Sequence, residues 1–442
     1  MTTRITTDNI TDATIGTADL ASSVPLNTQW QAVKTSDFTA VAGEGYFVDT
    51  TSAAVEVTLP ASPNAGDVVV FKDYARTWGT NAVSIASALF DGDTLSNSFS
   101  TNGQTVTLVY MDGTKGWSLV NEDTTTSLGA QFISATGGTI TQSGDFQIHT
   151  FTGDGCFVVS SLGAGIPCVQ ASTVDYLVVA GGGGGGRSGG GGAGAGGYRE
   201  SKDSTLSSPH TASPLAATTG LTITATTYPI TVGGGGAGLE APSGLAQGVS
   251  GSNSVFSTIT SAGGSGGGSG PQNGSSIVGG GSGGGGRANQ ANPVGAGNTP
   301  PVSPPQGNQG GIGGPATAGG GGGGASASGC NASGRCAGDG ADGVSTSITG
   351  SSVTRAGGGG GGTDQGTPTP GSPGDGGVGG NGGGGRGGIG TSACGPTAGV
   401  DGTTNTGGGG GGGSNAPAWP GNPTASGGSG GKGIVIIRYK YQ

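Results

Sequence analysis

Polar and apolar positions along this chain fall into three regimes. Up to residue 28, Ile5, Ile10, Ile15 and Leu20 recur at a five-residue interval, which fits neither the helical period nor the strand period. Such a segment buries its apolar side chains only against partners, so it reads as an attachment peptide or stalk, with a frayed terminus as the alternative. From Trp30 to about Asp123, short alternating runs follow: Gly45–Asp49, Val55–Leu59, Asp67–Phe71, Val83–Ile85, Thr105–Tyr110 and Gly116–Val120. Turns at Pro60, Pro63–Gly66 and Met111–Gly113 punctuate them, and this spacing predicts a β-sandwich with Phe47, Phe71, Trp78 and Trp117 in its core. After Val179 the pattern disappears into uninterrupted glycine at 181–186, 319–324, 357–362 and 407–413.

With 108 glycines among 442 residues, most of them in this last regime, no oily core can hold it together. Two outcomes are open to such a chain. One is disorder, because glycine loses the most backbone freedom on folding and offers nothing to pack. The other is a lattice of polyproline II rods, with three residues per turn and ~3.1 Å rise, whose outward N–H and C=O groups bond to neighbouring rods. Ordering costs roughly 1–2 kcal/mol per residue while each hydrogen bond returns about 0.5–1.5, so the lattice must be cooperative and clamped at its ends. Glycine tracts near 181–197, 232–238, 262–286, 310–324, 356–362, 374–390, 407–413 and 427–433 alternate with Ser, Thr, Asn, Pro and Gln segments. That alternation suits rods joined by loops, and Pro300–Pro305 supplies a reversal.

Candidate clamps flank the region. Val174–Val179 before it and Ile434–Tyr441 after it are β-branched and aromatic, and their pairing would close the glycine insertion into a domain. Phe151, Phe157 and Val159 add further sheet. The expected fold is therefore all-β, without substantial α-helix: an attachment segment 1–28, a β-sandwich 29–126, a strand frame 127–180, a polyglycine II lattice 181–430 and a closing strand 431–442.

Charge and chemistry remove several functions. The net charge is −10 and only 9% of residues are charged, so no basic stripe exists for phosphates and no nucleic-acid partner is expected. Residues 1–20 lack the apolar stretch of a signal peptide, and no run approaches the ~20 apolar residues that span a bilayer, so neither secretory export nor membrane spanning is expected. The odd set Cys156, Cys168, Cys330, Cys336 and Cys394 matches no zinc spacing and is read as free buried thiols; Cys156 with Cys168, or Cys330 with Cys336, could close short loops after release from a reducing cytosol.

Glycine runs produce chance dinucleotide motifs, but no helix-forming stretch follows them, and Gly430–Gly433 lacks the first glycine and the Ser or Thr of a phosphate loop. Gly338–Val344 fits most of one calcium nonapeptide without a tandem neighbour, so Asp339, Asp342 and Asp364 read as turn aspartates. His149 and His210 are the only histidines, which leaves little for metal or triad chemistry. No cofactor, no metal and no enzymatic activity are expected.

Ala42-Gly-Glu-Gly-Tyr-Phe-Val-Asp49, Val57-Thr-Leu-Pro-Ala-Ser-Pro63, Lys72-Asp-Tyr-Ala75 and Thr107-Leu-Val-Tyr-Met-Asp-Gly-Thr-Lys-Gly-Trp117 resemble a module of tailed-bacteriophage tail fibres, notably those of marine cyanobacterial phages. Ile148-His-Thr-Phe-Thr152, Val174-Asp-Tyr-Leu-Val-Val-Ala-Gly-Gly182, Tyr228-Pro-Ile-Thr-Val-Gly-Gly234 and Gly433-Ile-Val-Ile-Ile-Arg-Tyr439 resemble the glycine-rich tip domain of phage fibres and adhesins. The segment from Gly153 to Cys168 departs from that pattern. The resemblance implies a homotrimeric fibre, a virion-proximal N-terminus held by Ile5, Ile10, Ile15 and Leu20 against tail, baseplate or adaptor proteins, and rods whose loops touch a host-surface glycan or outer-membrane protein.

Within that reading the loops are the recognition elements, since a rigid scaffold with variable polar tips is a common way to build a binding surface. Trp419, beside Asn415, is the only aromatic between Phe256 and Tyr439; it either stacks on a sugar ring, fills a receptor pocket, or plugs a neighbouring loop. Arg287, Asn289, Gln290, Asn331 and Arg335 are the other candidates. Because loops alternate between the two ends of a lattice, about half of all loops are expected to face the attachment side. The rival expectations are a purely structural fibre or decoration protein with a glycine-rich cap, an ice-binding or cell-wall protein, which would need strict repeats that are missing, and a glycan depolymerase, for which no carboxylate cluster is visible.

Overall fold

The computed structural model describes residues 28–120, 132–162, 172–206, 208–240, 247–269, 277–288, 294–315, 317–363, 376–391, 395–415 and 424–441. Two compact units meet in sequence between residues 131 and 132. Ile5, Ile10, Ile15 and Leu20, from which an attachment role is expected, lie outside the described residues. Helix is confined, among the described residues, to one 3-10 turn at Ser204–Leu206, and no helix is long and apolar enough to cross a membrane.

The first unit contains β1 (Gln29–Trp30), β2 (Phe38–Thr39), β3 (Glu44–Val48), β4 (Val55–Thr58), β5 (Val68–Asp73), β6 (Val83–Phe90), β7 (Asp93–Phe99), β8 (Thr105–Asp112) and β9 (Gly116–Leu119). The strand order is β1-β3-β5-β8-β9-β6-β4-β2, with β7 on β6. The two faces of the expected sandwich are thus one mixed sheet, joined by the single pair Phe90↔Trp117. Both halves send their alternate residues into one core: Tyr46, Phe71 and Leu108 from one, Val57, Ile85 and Phe99 from the other. Trp78 closes it, fully buried, its indole N–H donating to the Val48 carbonyl at 3.3 Å.

The second unit is framed by two larger sheets. Its strands are β10 (Ser134–Thr136), β11 (Thr139–Ser143), β12 (Phe146–Phe151), β13 (Gly155–Ser161), β14 (Thr173–Val179), β15 (Tyr198–Ser201), β16 (Ala216–Ala217), β17 (Leu221–Thr222), β18 (Thr227–Thr231), β19 (Ser254–Phe256), β20 (Ile259–Ser261), the hairpin β21 (Val344–Thr346) and β22 (Val353–Arg355), the short pair β23 (Gly390–Thr391) and β24 (Gly395–Pro396), and β25 (Ile434–Lys440). The clamp forms. β14 and β25 pair antiparallel from Asp175↔Arg438 to Val179↔Ile434, and β12 pairs the other edge of β25.

These central strands are apolar on both sides because both sides are covered. Val174, Tyr176, Val178, Val435, Ile437 and Tyr439 enter one core, with Phe157 and Val159 from the second sheet. Leu177, Val179, Ile434 and Ile436 enter another, closed by Ala195, Ala325 and Ala356 from the glycine region.

Everything between the clamps hangs on the backbone. The 180–186 rod is the clearest case. Ala180, Gly183 and Gly186 donate N–H to the carbonyls of Gly197, Gly194 and Gly191; Gly181 and Gly184 donate to Ser252 and Val249; Gly182 and Gly185 donate to Gly431 and Gly428, all at 2.8–3.1 Å. Its carbonyls accept in the same rhythm from Gly236 and Leu239, from Gly264 and Gly267, and from Gly410 and Gly413. Partners repeat every three residues, as a three-fold polyproline II rod requires, and six neighbours surround it.

The 190–197, 318–325, 356–363 and 407–414 rods are interior in the same way. A Cβ on any of Gly181 to Gly186 would lie 1.9–2.2 Å from a neighbouring carbonyl oxygen, so no side chain fits.

At the lattice perimeter a missing rod leaves amides without a backbone partner, and side-chain oxygens take its place. Asp339 accepts from Val378 (2.7 Å), Asp342 from Asn381 (2.7 Å), Asp401 from Ser429 (2.6 Å) and Asn253 from Gly263 (2.9 Å). Asp339 and Asp342 are therefore rod residues at a three-residue interval, not the turn aspartates the sequence suggests.

Candidate recognition surface

Chain direction assigns each loop to an end. The 180–186 rod leaves the sheet at Val179, so the level of Ala180, Gly197, Gly407 and Gly433 is the sheet end. At the opposite level, Gly186 bonds Gly191, Gly413 bonds Gly186, Gly362 bonds Gly190 and Gly319 bonds Gly362. The tract 181–197 is two antiparallel rods, reversed at this far end by Ser188 and Gly189, which take left-handed φ values of 57° and 65°. At the sheet end, Pro300–Pro305 provides the expected reversal, with the Gln306 side chain accepting the Ala262 amide at 2.8 Å.

Arg287, Asn331, Arg335 and Asn415 all fall at the far end, so the described candidates do not divide between the two ends. Arg287 donates through Nε to the Ser188 carbonyl at 3.1 Å, which ties it to the first reversal. Asn331 spends its Oδ1 on the Ile312 amide at 2.8 Å. Arg335 is exposed on the tight turn in which Ser333 and Cys336 exchange both backbone bonds at 3.0 Å. Asn415 is 8% exposed and its amide donates to the Thr363 carbonyl, which makes it a lattice residue and not a contact residue. Asn289, Gln290 and Trp419 lie outside the described residues.

Cys156, Cys330 and Cys336 are free and exposed, contrary to the expectation of buried thiols, because the sequence around them forms surface strand and rod edges instead of core. Cys168 and Cys394 lie outside the described residues, as does Asp364. Gly430 and Gly431, in the segment that partly resembles a phosphate loop, spend their amides on the Gly236 and Gly408 carbonyls.

Both histidines are buried at the frame. His149 bonds the Gly137 carbonyl through Nδ1 (2.7 Å) and the Tyr439 hydroxyl through Nε2 (3.0 Å), and burial lowers its pKa. His210 lies with Ser208, Asp175 and Arg438. Ser208 Oγ is 2.7 Å from His210 Nδ1 and accepts from Arg438 Nε at 3.0 Å, while Asp175 stands 4.0 Å from that same Nδ1. Burial pushes Asp175 up to about 7 and His210 down to about 4. A nucleophilic triad needs serine and carboxylate on opposite ring nitrogens. Here both approach Nδ1, and the cluster ties the 202–222 loop to β14 and β25. None of this was legible in the sequence, where Ser208, His210 and Asp175 are ordinary polar residues in unrelated segments.

A β-framed polyglycine II lattice with loop-bearing ends is the class that fold and surface define. The chain belongs to the glycine-rich domain family, whose model matches residues 159–440. No curated protein matches the chain.

Proposed function

We propose that this protein is a non-enzymatic adhesin of the phage tail-fibre kind, which binds a host-surface glycan or outer-membrane protein through the far-end loops of its lattice. One observation carries the reading. The glycine-rich unit receives and releases the chain at the sheet, while the Ser188–Gly189 reversal and the 333–336 turn lie at the opposite level. Rods that satisfy one another's amides supply stiffness without side chains, so loop sequences can vary without disturbing the support. In a trimeric fibre, three weak contacts would act together as one strong one.

Binding of the full chain to susceptible cells, in competition with intact particles, tests this. Replacing 333–336 and 416–423 by Gly-Ser sequence of equal length is expected to abolish competition, and replacing the sheet-end turn 403–406 is expected to leave it intact. Unchanged competition after replacement of 333–336 and 416–423 would overturn the proposal. A parent chain that binds no susceptible host would favour the structural cap.

A further inference from the structure

On one flank the lattice stops short. The 337–343 rod donates to the 318–325 rod through Gly338 and Ala341 and to the 376–381 rod through Gly340 and Gly343, at 2.8–3.0 Å. It accepts from Gly361 and Gly358 on one side and from Cys330 and Ser326 on the other. That makes four rod neighbours where an interior rod has six. Among the described residues two adjacent places are vacant, and the groups that would face them are the N–H groups of Asp339 and Asp342 and the carbonyl of Gly340, none with a partner there. The vacancy is a groove of about 420 Å³, walled by Ser328 and Cys330 on one side and Val378 and Asn381 on the other, with Ala341 in its floor.

We propose that this groove docks an extended glycine-rich segment of a partner protein, which adds to the lattice as a further polyproline II rod. The argument is continuity. Asp339 and Asp342 present their amides three residues apart, about 9 Å at ~3.1 Å rise, the interval at which carbonyls recur on another such rod. Gly183 and Gly186 meet Gly194 and Gly191 in that register inside the lattice.

The Asp339 and Asp342 carboxylates, which accept from Val378 and Asn381, stand in for a rod at the place beside the 376–381 rod, so the incoming rod takes the other place, the one that the Asp339 and Asp342 amides face. Glycine is favoured at positions that turn inward, since between the rods already packed there a Cβ on Gly377 would sit 2.1 Å from the Gly338 carbonyl oxygen, while outward positions such as Val378 carry side chains. Backbone pairing gives affinity and the absence of side chains gives selectivity, the rod counterpart of strand addition to a sheet edge. The groove lies along the flank, apart from the far-end loops, so the inference stands independently of the adhesin reading.

The test titrates ¹⁵N-labelled full-length protein with the nonapeptide (Pro-Gly-Gly)₃. Free protein should show fast exchange at the Asp339 and Asp342 amides beside protected Gly338 and Ala341, and the peptide should shift and protect both aspartate amides. D339P/D342P, which keeps the extended backbone and deletes both donors, should weaken binding at least tenfold; D339N, which keeps amide and Oδ1, should bind like the parent. Unmoved Asp339 and Asp342 amides at millimolar peptide would overturn the proposal, as would parental affinity in D339P/D342P. So would the same shifts produced by an oligosaccharide or by self-association in place of the peptide. If the double variant loses protection at 181–186 it has unfolded, and the parent's amide shifts then decide alone.

Discussion

Gly184→Ala puts the lattice under a defined strain. Its Cβ would lie 2.0 Å from the Ala237 carbonyl oxygen and 2.3 Å from the carbonyl carbon, where ordinary contact begins near 3.4 Å. The 180–186 and 232–239 rods must separate by more than an ångström, which breaks the bonds from Gly236 to Gly182 (2.9 Å) and from Leu239 to Gly185 (3.1 Å). Each of the two broken bonds costs about 1–3 kcal/mol, and the stiffer unfolded chain offsets this by destabilising the unfolded state by about 0.4–1 kcal/mol. The net loss is about 1–5 kcal/mol.

Gly234→Ala is the internal control, since its Cβ would meet nothing within 4 Å. It is expected to be neutral or to gain up to about 1 kcal/mol. Calorimetry of the full chain reads both, with the transition of residues 28–120 as a reference that neither substitution touches. A Gly184→Ala protein within about 0.5 kcal/mol of its Gly234→Ala counterpart, a margin typical of a neutral surface change, would refute the close-packed rod geometry.

Asp175 and His210 oppose each other in pH dependence. With its folded value raised from 3.8 to about 7, Asp175 stabilises most at low pH and loses that contribution as pH rises toward 7; His210, lowered from 6.5 to about 4, stabilises above 6.5 and loses its contribution as pH falls toward 4. Denaturant melts between pH 4 and 7 should therefore show Asp175→Asn gaining stability over the parent as pH rises, and a pH-independent difference would contradict the buried carboxyl. Arg438→Leu removes bonds to Ser208 Oγ and the Ile348 carbonyl, both at 3.0 Å, and the stack on Phe146 at 4.6 Å. A loss of about 3 kcal/mol in the second unit is expected from its buried, charge-assisted bonds. A maleimide should modify Cys156, Cys330 and Cys336 in the native protein within minutes, as peptide mass mapping would show; protection of Cys330 would contradict its place on the groove wall.

Much of the fold is legible in the sequence because its causes are local. β14 and β25 announce themselves as β-branched runs at the borders of the glycine region, and runs such as 181–186 and 407–413 have no means of folding except backbone pairing. The halves of the first unit could be read strand by strand, but not their union through Phe90 and Trp117, since one pair carries no pattern. Which end a loop occupies depends on how many rods a glycine tract holds. The 181–197 tract holds two because Ser188 and Gly189 turn left-handed, a conformation that the composition of a glycine-rich stretch does not single out. The perimeter aspartates had a signal that was available: Asp339 and Asp342 repeat at the rod period of three. Asn415 illustrates the opposite case, a polar loop-like residue that the lattice buries.

Amide hydrogen exchange across the glycine runs of the native full-length protein tests the central claim most directly. Because every N–H of residues 181–186 reaches a carbonyl on another rod, those six amides should be protected to a degree comparable with β14, and Gly407–Gly413 with them. Exchange at unstructured-peptide rates in these runs, with β14 and β25 still protected, would mean that the strands close on a disordered loop and that no lattice exists.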